Sequence, residues 1–184
     1  MENFLRKIKL IEGFSIELTT TKSEFTSALR SHVDEADIDS FFSRAFEAFS
    51  SSKNLFIGSV SYNEFKIRKR RRLFDRQFGC AKITGQSREN SGFLIVSGKL
   101  IAWNSYIYFW FGFVILLYLL FVAILFSHID ITGTAGVIVI PFLFLHACLM
   151  LGIPYLSMRK AIKRLREDLE REFYYIINKP KSNK

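Results

Sequence analysis

The residues of this chain most able to do chemistry form a basic run at positions 64–76, EFKIRKRRRLFDR. The run holds seven basic and two acidic residues, a net charge of +5, and is the densest charge in the sequence. Its basic members are Lys66, Arg68, Lys69, Arg70, Arg71, Arg72 and Arg76. Three interpretations are open: a charged strand edge that discourages aggregation, a patch for anionic lipid headgroups, or a surface for nucleic acid or an acidic nucleotide. Because long apolar stretches follow the run, we favour lipid and place nucleic acid last.

Other patterns typical of catalysis or metal binding are missing from the sequence. It has no Gly-rich phosphate loop, HExxH motif, CxxC pair or GxSxG motif. The histidines, His32, His128 and His146, lie in three separate parts of the chain, so they assemble neither a metal site nor a catalytic pair. We therefore expect a protein that is not an enzyme and that binds no cofactor or metal.

Four carboxylates cluster at Asp34, Glu35, Asp37 and Asp39. They could hold a cation, but the glycine and the distal glutamate of a calcium loop do not follow at the required spacing. An acidic side chain ahead of a helix satisfies free backbone amides and the positive end of the helix dipole. We therefore interpret Asp37 or Asp39 as the N-cap of the next helix.

Two apolar runs, residues 104–127 and 131–158, contain no Asp, Glu, Lys or Arg. A helix needs about 20 apolar residues to cross a hydrocarbon core of roughly 30 Å, so both runs are long enough. They predict a transmembrane helical hairpin with a short loop at 128–130. Aromatic side chains gather at the entry of the first run, where amphipathic rings anchor a helix at headgroup level. These membrane-interface anchors are Trp103, Tyr106, Tyr108 and Trp110.

His146 is an intramembrane polar residue, and ionisable groups within a membrane span are functional candidates by default. Neither run contains an acidic partner for it. Two interpretations are open: a proton or ion pathway, and a neutral imidazole bonded to a neighbouring carbonyl or to Tyr118. We favour the neutral imidazole. Folding the hairpin about a three-residue loop places His146 level with Gly112.

The placement of charge predicts the topology. The chain carries 26 Lys and Arg against 17 Asp and Glu, a formal net charge of +9. Basic residues flank the outer ends of the hairpin and its loop has none, so the positive-inside rule predicts that both termini face the cytoplasm. The first residues lack the apolar stretch of a secretory signal, so we expect the hairpin to target a multi-pass protein to the cytoplasmic membrane. Cys80 and Cys148 lie in different parts of the chain, and we expect no disulfide between them.

The remaining sequence changes periodicity several times. Residues 8–18 alternate with period two around Gly13, which predicts either one bulged strand or a hairpin. Thr21 and Glu24 form a capping box ahead of a short helix. Period two returns over residues 55–100 and predicts an antiparallel meander of about four strands, with a polar turn at 87–91.

Two further segments are amphipathic. A phenylalanine stripe at 41–49 predicts a helix. After Met158, apolar residues at spacing three to four predict a C-terminal helix, whose stripe is Ile162, Leu165, Leu169, Phe173 and Ile176. This stripe could lie on the membrane, pair with another copy or pack on the soluble part of its own chain, and we favour the last.

These patterns predict an α+β fold. A small antiparallel sheet with two helices is fused to a two-helix transmembrane hairpin and a C-terminal amphipathic helix. The predicted parts are a cytoplasmic α+β domain at 1–100, the hairpin at 101–158, and the amphipathic helix with a polar tail at 159–184. The last strand leads almost directly into the first apolar run, so we expect the sheet to lie close to the headgroups.

One stretch of the predicted sheet has a pattern shared with other sequences. An aromatic-x-Gly-x-Val strand at 56–60 is followed by a turn, a Phe-x-Ile-x-Arg strand at 65–68 and a strand that bears Gly85. With the hairpin behind it, this arrangement resembles a loose group of uncharacterised bacterial two-helix membrane proteins that have a small N-terminal α+β domain. The resemblance implies an architecture and no activity.

The sequence therefore favours one class of function and leaves a second open. We expect a non-enzymatic membrane-tethered interaction or sensing protein, whose partners are a bilayer with anionic headgroups and a protein or a second copy of the chain. The alternative is an oligomerising membrane effector that perturbs the bilayer. His146 and a patch of small residues on the second apolar run favour the alternative, because small side chains allow helices to approach closely. The patch consists of Thr132, Gly133, Ala135 and Gly136.

Overall fold

The computed structural model describes residues 2–38, 52, 54–70, 81–102, 105–128 and 134–178. The chain divides into two compact units: Met1–Ala102 with Met158–Lys184, which we call the α+β unit, and Trp103–Ser157, which we call the apolar unit. The described helices and strands are α1 (Glu2–Lys7), β1 (Ile11–Leu18), α2 (Lys22–His32), β2 (Val33–Glu35), β3 (Phe56–Val60), β4 (Glu64–Lys69), β5 (Lys82–Asn90), β6 (Phe93–Ile101), α3 (Ser105–His128) and α4 (Thr134–Asn178).

A six-stranded sheet forms the α+β unit, with the strand order β1-β6-β5-β4-β3-β2. Neighbouring strands are antiparallel except β2 and β3, which are parallel. The predicted meander is confirmed as β3 to β6, and β1 extends it by pairing with β6. Along β1 the side chains of Phe14, Ile16 and Leu18 are buried, whereas Ser15 and Glu17 between them are exposed. This alternation gives the sheet one apolar face.

The apolar face of the sheet is covered by α2 and by the last part of α4. Phe173 of α4 is fully buried, and its ring meets the rings of Phe14, Phe25 and Phe65 edge to face. The centroid distances are 6.1, 5.3 and 6.1 Å. Because these three rings come from β1, α2 and β4, one side chain joins helix to helix and helix to sheet. The prediction that the amphipathic C-terminal helix packs on its own domain is confirmed.

Two glycines allow the strands and rings of this core to approach closely. Gly85 of β5 lies under the ring of Phe65, and a Cβ atom there would collide with that ring. Gly58 of β3 has a φ of 149°, a conformation that L side chains rarely adopt. A Cβ atom at Gly58 would also collide with the backbone carbonyl oxygen of Lys66 on the adjacent strand. Both positions therefore need glycine for the sheet to form.

The first residues differ from their prediction, because residues 2–7 form a helix and the strand begins only at Ile11. The Ile8 amide donates to the Phe4 carbonyl at 3.0 Å and continues the helical turn. Lys9 then takes a left-handed φ of 58°, which redirects the chain into β1. Ile8 and Leu10 therefore do not lie in a strand. Helical hydrogen bonds prevail there over a short apolar alternation.

The predicted capping box at the start of α2 is confirmed. The Thr21 side chain accepts a hydrogen bond from the Glu24 backbone N–H at 3.3 Å. The helix that Asp37 or Asp39 is predicted to cap, with the phenylalanine stripe at 41–49, lies outside the described residues.

β5 is longer than the sequence predicts. The polar residues 87–90 continue the strand, and Asn90 pairs with Phe93 of β6. The turn lies at Ser91 and Gly92, which both have positive φ. Two such residues are typical of the tight hairpin whose twist matches the flanking strands, so turn geometry outweighs the polarity of the segment.

The apolar unit consists of α3 and the first part of α4. By length and composition both helices could cross a membrane, with mean hydropathy of 2.6 over Ile107–Leu125 and 2.0 in the segment that begins at Ile138. The described residues of the two predicted apolar runs are helical. α4 does not end with its apolar run and continues without interruption to Asn178, so the predicted amphipathic helix is its second half. Residues 129 and 130 of the predicted loop, and the first three residues of the second predicted run, lie outside the described residues.

Candidate functional site

Four residues of the predicted basic patch lie along β4 or directly after it. Successive side chains of a strand point to opposite faces, so Lys69 lies on the helix-covered face, and Lys66, Arg68 and Arg70 lie on the other. Arg68 and Arg70 are only 1% and 6% exposed, and Lys66 is half-buried. These side chains therefore present little free charge to a bilayer. The remaining members of the patch lie outside the described residues: Arg71, Arg72 and Arg76.

Lys69 joins β4 to α4 through a carboxylate that sequence reasoning missed. Its Nζ atom lies 2.5 Å from Asp168 Oδ2, and Arg171 donates to Asp168 Oδ1 at 2.8 Å. Asp168 is 9% exposed. Two cations therefore satisfy both oxygens of a largely buried carboxylate, which offsets the cost of removing it from water.

A second polar contact fixes the same helix to the edge of the sheet. Arg166 donates to the backbone carbonyl of Gly13 in β1 at 2.7 Å, and its guanidinium lies 3.9 Å from Glu12. β1 and β4 are separated in the sheet by β6 and β5. The helix is therefore held by polar contacts on both sides of the apolar stripe that carries Phe173.

Arg70 belongs to a cluster at the opposite edge of the sheet, where Asp34 of β2 accepts from it in an ion pair. Asn54 donates to the other Asp34 oxygen at 2.5 Å. Hydrogen bonds from Ser52 and Asn54, with the Arg70 charge, hold the pKa of Asp34 below its ordinary value despite partial burial. This acidic residue therefore stabilises the sheet edge, and no cation is needed to explain it.

One group of exposed basic side chains in the α+β unit lies on the first turns of α4 after Met158. Lys160, Lys163 and Arg164 are exposed, and the side chain of Lys163 is 81% exposed. They follow the apolar part of the same helix directly. Cationic side chains in that position are typical of contact with anionic headgroups.

An open groove of about 480 Å³ lies between α2 and the end of α4. Ser23, Ser27 and Ser31, spaced four residues apart on one face of α2, provide hydroxyl groups along it. Ile176 and Ile177 of α4 provide its apolar wall. The groove could accept a small amphipathic group, and the Ser31 hydroxyl on its lining lies 3.0 Å from His32 Nδ1.

The predicted anchors and most apolar side chains of the apolar unit are exposed where they are described. Tyr108 and Trp110 of α3 are 45% and 42% exposed. The side chains of Trp103 and Tyr106 lie outside the described residues. Only 6% of the apolar window of α3 and none of that of α4 is buried. These helices therefore do not form the core of a soluble unit.

His146 and Tyr118 form a polar pair between the two apolar helices. The Tyr118 hydroxyl is hydrogen-bonded to His146 Nδ1, and the ring of Phe142 stacks on the imidazole at a centroid distance of 6.2 Å. The expected hydrogen bond to Tyr118 is confirmed. The prediction that His146 lies at the same height along the hairpin as Gly112 is wrong. α3 ends at His128 and α4 begins at Thr134, so the centre of the hairpin lies about two residues later than predicted. The position in α3 that lies opposite His146 is therefore about four residues after Gly112.

Comparisons with known proteins assign no function to this arrangement. No protein-family model, curated protein or solved structure matches the chain. Within the described ranges, no three side chains of His, Cys, Asp or Glu come together as a metal site would require. The site must therefore be interpreted from its own chemistry.

Asp34 and Asp168 are the two residues whose roles sequence reasoning missed. Asp168 lies three positions after Leu165 and next to Leu169, so helical spacing places it on the buried side of the amphipathic stripe. A lone carboxylate there, opposite a basic strand, is a usable signal for an internal ion pair. Asp34 gave no comparable signal, because its partner Arg70 is distant in sequence and their pairing depends on the parallel contact of β2 with β3.

Proposed function

We propose that the chain is a multi-pass protein of the cytoplasmic membrane, tethered by two membrane-spanning helices, whose α+β unit binds a partner at the inner surface without catalysing a reaction. The exposure of the apolar side chains supports the first part. Soluble proteins rarely expose contiguous apolar surface of this extent, and a bilayer removes it from water at no cost in backbone hydrogen bonds because both segments are helical.

One observation carries the proposal: α4 is a single helix that belongs to both units. Its first part, Thr134 to Ser157, lies in the apolar unit, and the part from Met158 onward lies in the α+β unit. Phe173 in the second part fills the centre of the α+β core. The proposed membrane segment is thus part of the same helix as an element that the core of the α+β unit requires.

We further propose that anionic headgroups are contacted by Lys160, Lys163 and Arg164, at the start of the amphipathic part. Each cation near an anionic surface contributes about 1 kcal/mol, screened beyond a Debye length. The described residues of the β4 run are mostly committed to internal contacts, so this surface on α4 is the better candidate. The same cations favour a cytoplasmic position for both termini by the positive-inside rule.

Topology mapping tests the tether directly. In a chain with Cys80 and Cys148 replaced by serine, Lys163→Cys and Asp130→Cys are each labelled in intact cells with a membrane-impermeant maleimide. We expect Asp130→Cys to be labelled from outside and Lys163→Cys only after the membrane is permeabilised. Extraction of the protein by alkaline carbonate, or labelling of both cysteines from one side, would contradict the proposal.

A second candidate function, an oligomerising membrane effector, is favoured by the polar Tyr118–His146 pair within the apolar helices. Its test is dye release from liposomes that contain the full chain. Release that rises with the ratio of protein to lipid supports the effector, whereas vesicles that stay intact at every ratio leave tethering as the function.

A further inference from the structure

The Tyr118–His146 pair lies far from either end of its helices. His146 comes twelve residues after Thr134 and twelve before Met158. At a rise of 1.5 Å per residue, it is about 18 Å from either point along the helix. On the proposed function, on which this inference rests, the imidazole is therefore near the middle of the hydrocarbon, too deep to reach water or headgroups.

This pair has hydrogen-bonding capacity left over. If the Tyr118 hydroxyl donates to His146 Nδ1, then Nε2 keeps its hydrogen and the tyrosine oxygen keeps a lone pair. If Nδ1 donates instead, Nε2 becomes an acceptor and the hydroxyl hydrogen is left over. Either tautomer of the neutral pair thus has one unused donor and one unused acceptor. Among the described residues, His146 has no hydrogen-bond partner besides Tyr118.

The surface around His146 is exposed and apolar. His146 is exposed in the apolar unit, and Phe142 and Leu149, which lie on the same side of α4, are 63% and 49% exposed. Lipid tails would cover the two apolar side chains but offer no partner to the imidazole. What covers this face must therefore supply both a donor and an acceptor at the level of His146.

We propose that a second copy of the chain covers this face, with His146 Nε2 of each copy bonded to the Tyr118 hydroxyl of the other. The pair is complementary to itself, since it supplies one donor and one acceptor in either tautomer. Two copies related by a two-fold axis satisfy all four groups at once. An unrelated partner would need to match both groups at the same depth, so the second copy is the occupant that the chemistry selects.

The test measures energy transfer between full chains in vesicles of phosphatidylethanolamine and phosphatidylglycerol. Each chain carries a dye on Lys163→Cys, with Cys80 and Cys148 replaced by serine. Two reciprocal intramembrane hydrogen bonds predict that Tyr118→Phe and His146→Leu each weaken dimerisation about tenfold. His146→Gln, which keeps a donor and an acceptor, should recover part of the loss. Ser127→Ala removes a hydroxyl near the end of α3, where it bonds only within its own helix, and should leave the dimer unchanged.

Disulfide cross-linking shows whether the correct face is in contact. Leu149→Cys, with the native cysteines replaced, lies beside His146 on the helix, whereas native Cys148 lies about 200° around it. We expect rapid cross-linking through Leu149→Cys and slow cross-linking through Cys148. The inference is overturned if inserted wild-type chains show no transfer, if Tyr118→Phe and Ser127→Ala dimerise equally, or if Cys148 cross-links faster. Failure of the chains to insert into the vesicles, checked by carbonate extraction, would instead overturn the proposed function beneath it.

Discussion

Replacing Phe173 with alanine should unfold the centre of the α+β unit more than any nearby change. The side chain is fully buried and makes edge-to-face contacts with three rings from three elements. Truncation of a buried phenylalanine to alanine costs about 3–5 kcal/mol. Each aromatic pair contributes roughly 0.5–1.5 kcal/mol beyond area burial, which places Phe173→Ala towards the upper end. Since small domains are stable by only about 5–15 kcal/mol, the variant should be marginal.

Amide hydrogen exchange of the detergent-solubilised full chain measures this cost in the sheet itself. A loss of about 4 kcal/mol corresponds to a fall of roughly 10³-fold in the protection of core amides such as those of Ile83 and Leu100. The matched control is Tyr174→Ala, one residue further along the helix, where the side chain is 51% exposed. It should change protection less than about fivefold. Equal effects of the two substitutions, or a fall of less than tenfold for Phe173→Ala, would refute the view that α4 completes the sheet core.

Three further predictions follow from the polar contacts and the strand backbone. Asp168→Asn should lower the free energy of unfolding by about 1–3 kcal/mol in a urea titration, because it leaves two cations without their carboxylate. The control Glu167→Gln, on the exposed face of the helix, should lower it by less than about 0.5 kcal/mol. Asp34, whose folded-state pKa is lowered, contributes stability that is present above the ordinary carboxyl pKa and is lost as pH falls through the folded-state pKa. Asp34→Asn should therefore flatten acid unfolding followed by circular dichroism, and an unchanged pH profile would contradict the assignment. Gly58→Ala should prevent folding, judged by soluble expression and sheet content, while Gly13→Ala, where no atom lies within 4 Å of the new Cβ, should be tolerated.

The local patterns of the chain predicted its elements wherever one periodicity acted alone. The capping box at Thr21 starts α2, and the meander follows the period-two pattern from 55 to 100. Prediction failed where two local tendencies competed, as at Ile8 and Leu10, where helical hydrogen bonds prevailed over alternation. Neither the pairing of β1 with β6 nor the parallel contact of β2 with β3 is encoded locally, because both join strands from distant parts of the sequence.

The candidate site was less predictable than the fold, since the charge pattern alone does not show which cationic side chains form ion pairs within the fold. Lys69 and Arg70 belong to the densest basic run, yet each is paired with a carboxylate distant in sequence, at Asp168 and Asp34. Only strand register and helix packing bring these groups together. Tyr118 could be named in advance as one of two partners for His146 because apolar surroundings leave an imidazole few partners, but the position of the pair along the hairpin depended on where the helices begin and end.

The continuity of α4 constrains how a partner could act on this protein. On the proposed function, its apolar part can leave the bilayer only by exposing side chains that the described residues of the apolar unit do not bury. Its amphipathic part can leave the sheet only by emptying the core around Phe173. Each step carries a large free-energy cost, and the two parts belong to one helix. On the proposed function, release of the domain from the membrane would therefore be a poor switch, and we expect regulation to act through the groove beside α2 or through association of the hairpins, where groups can change partners without unfolding either unit.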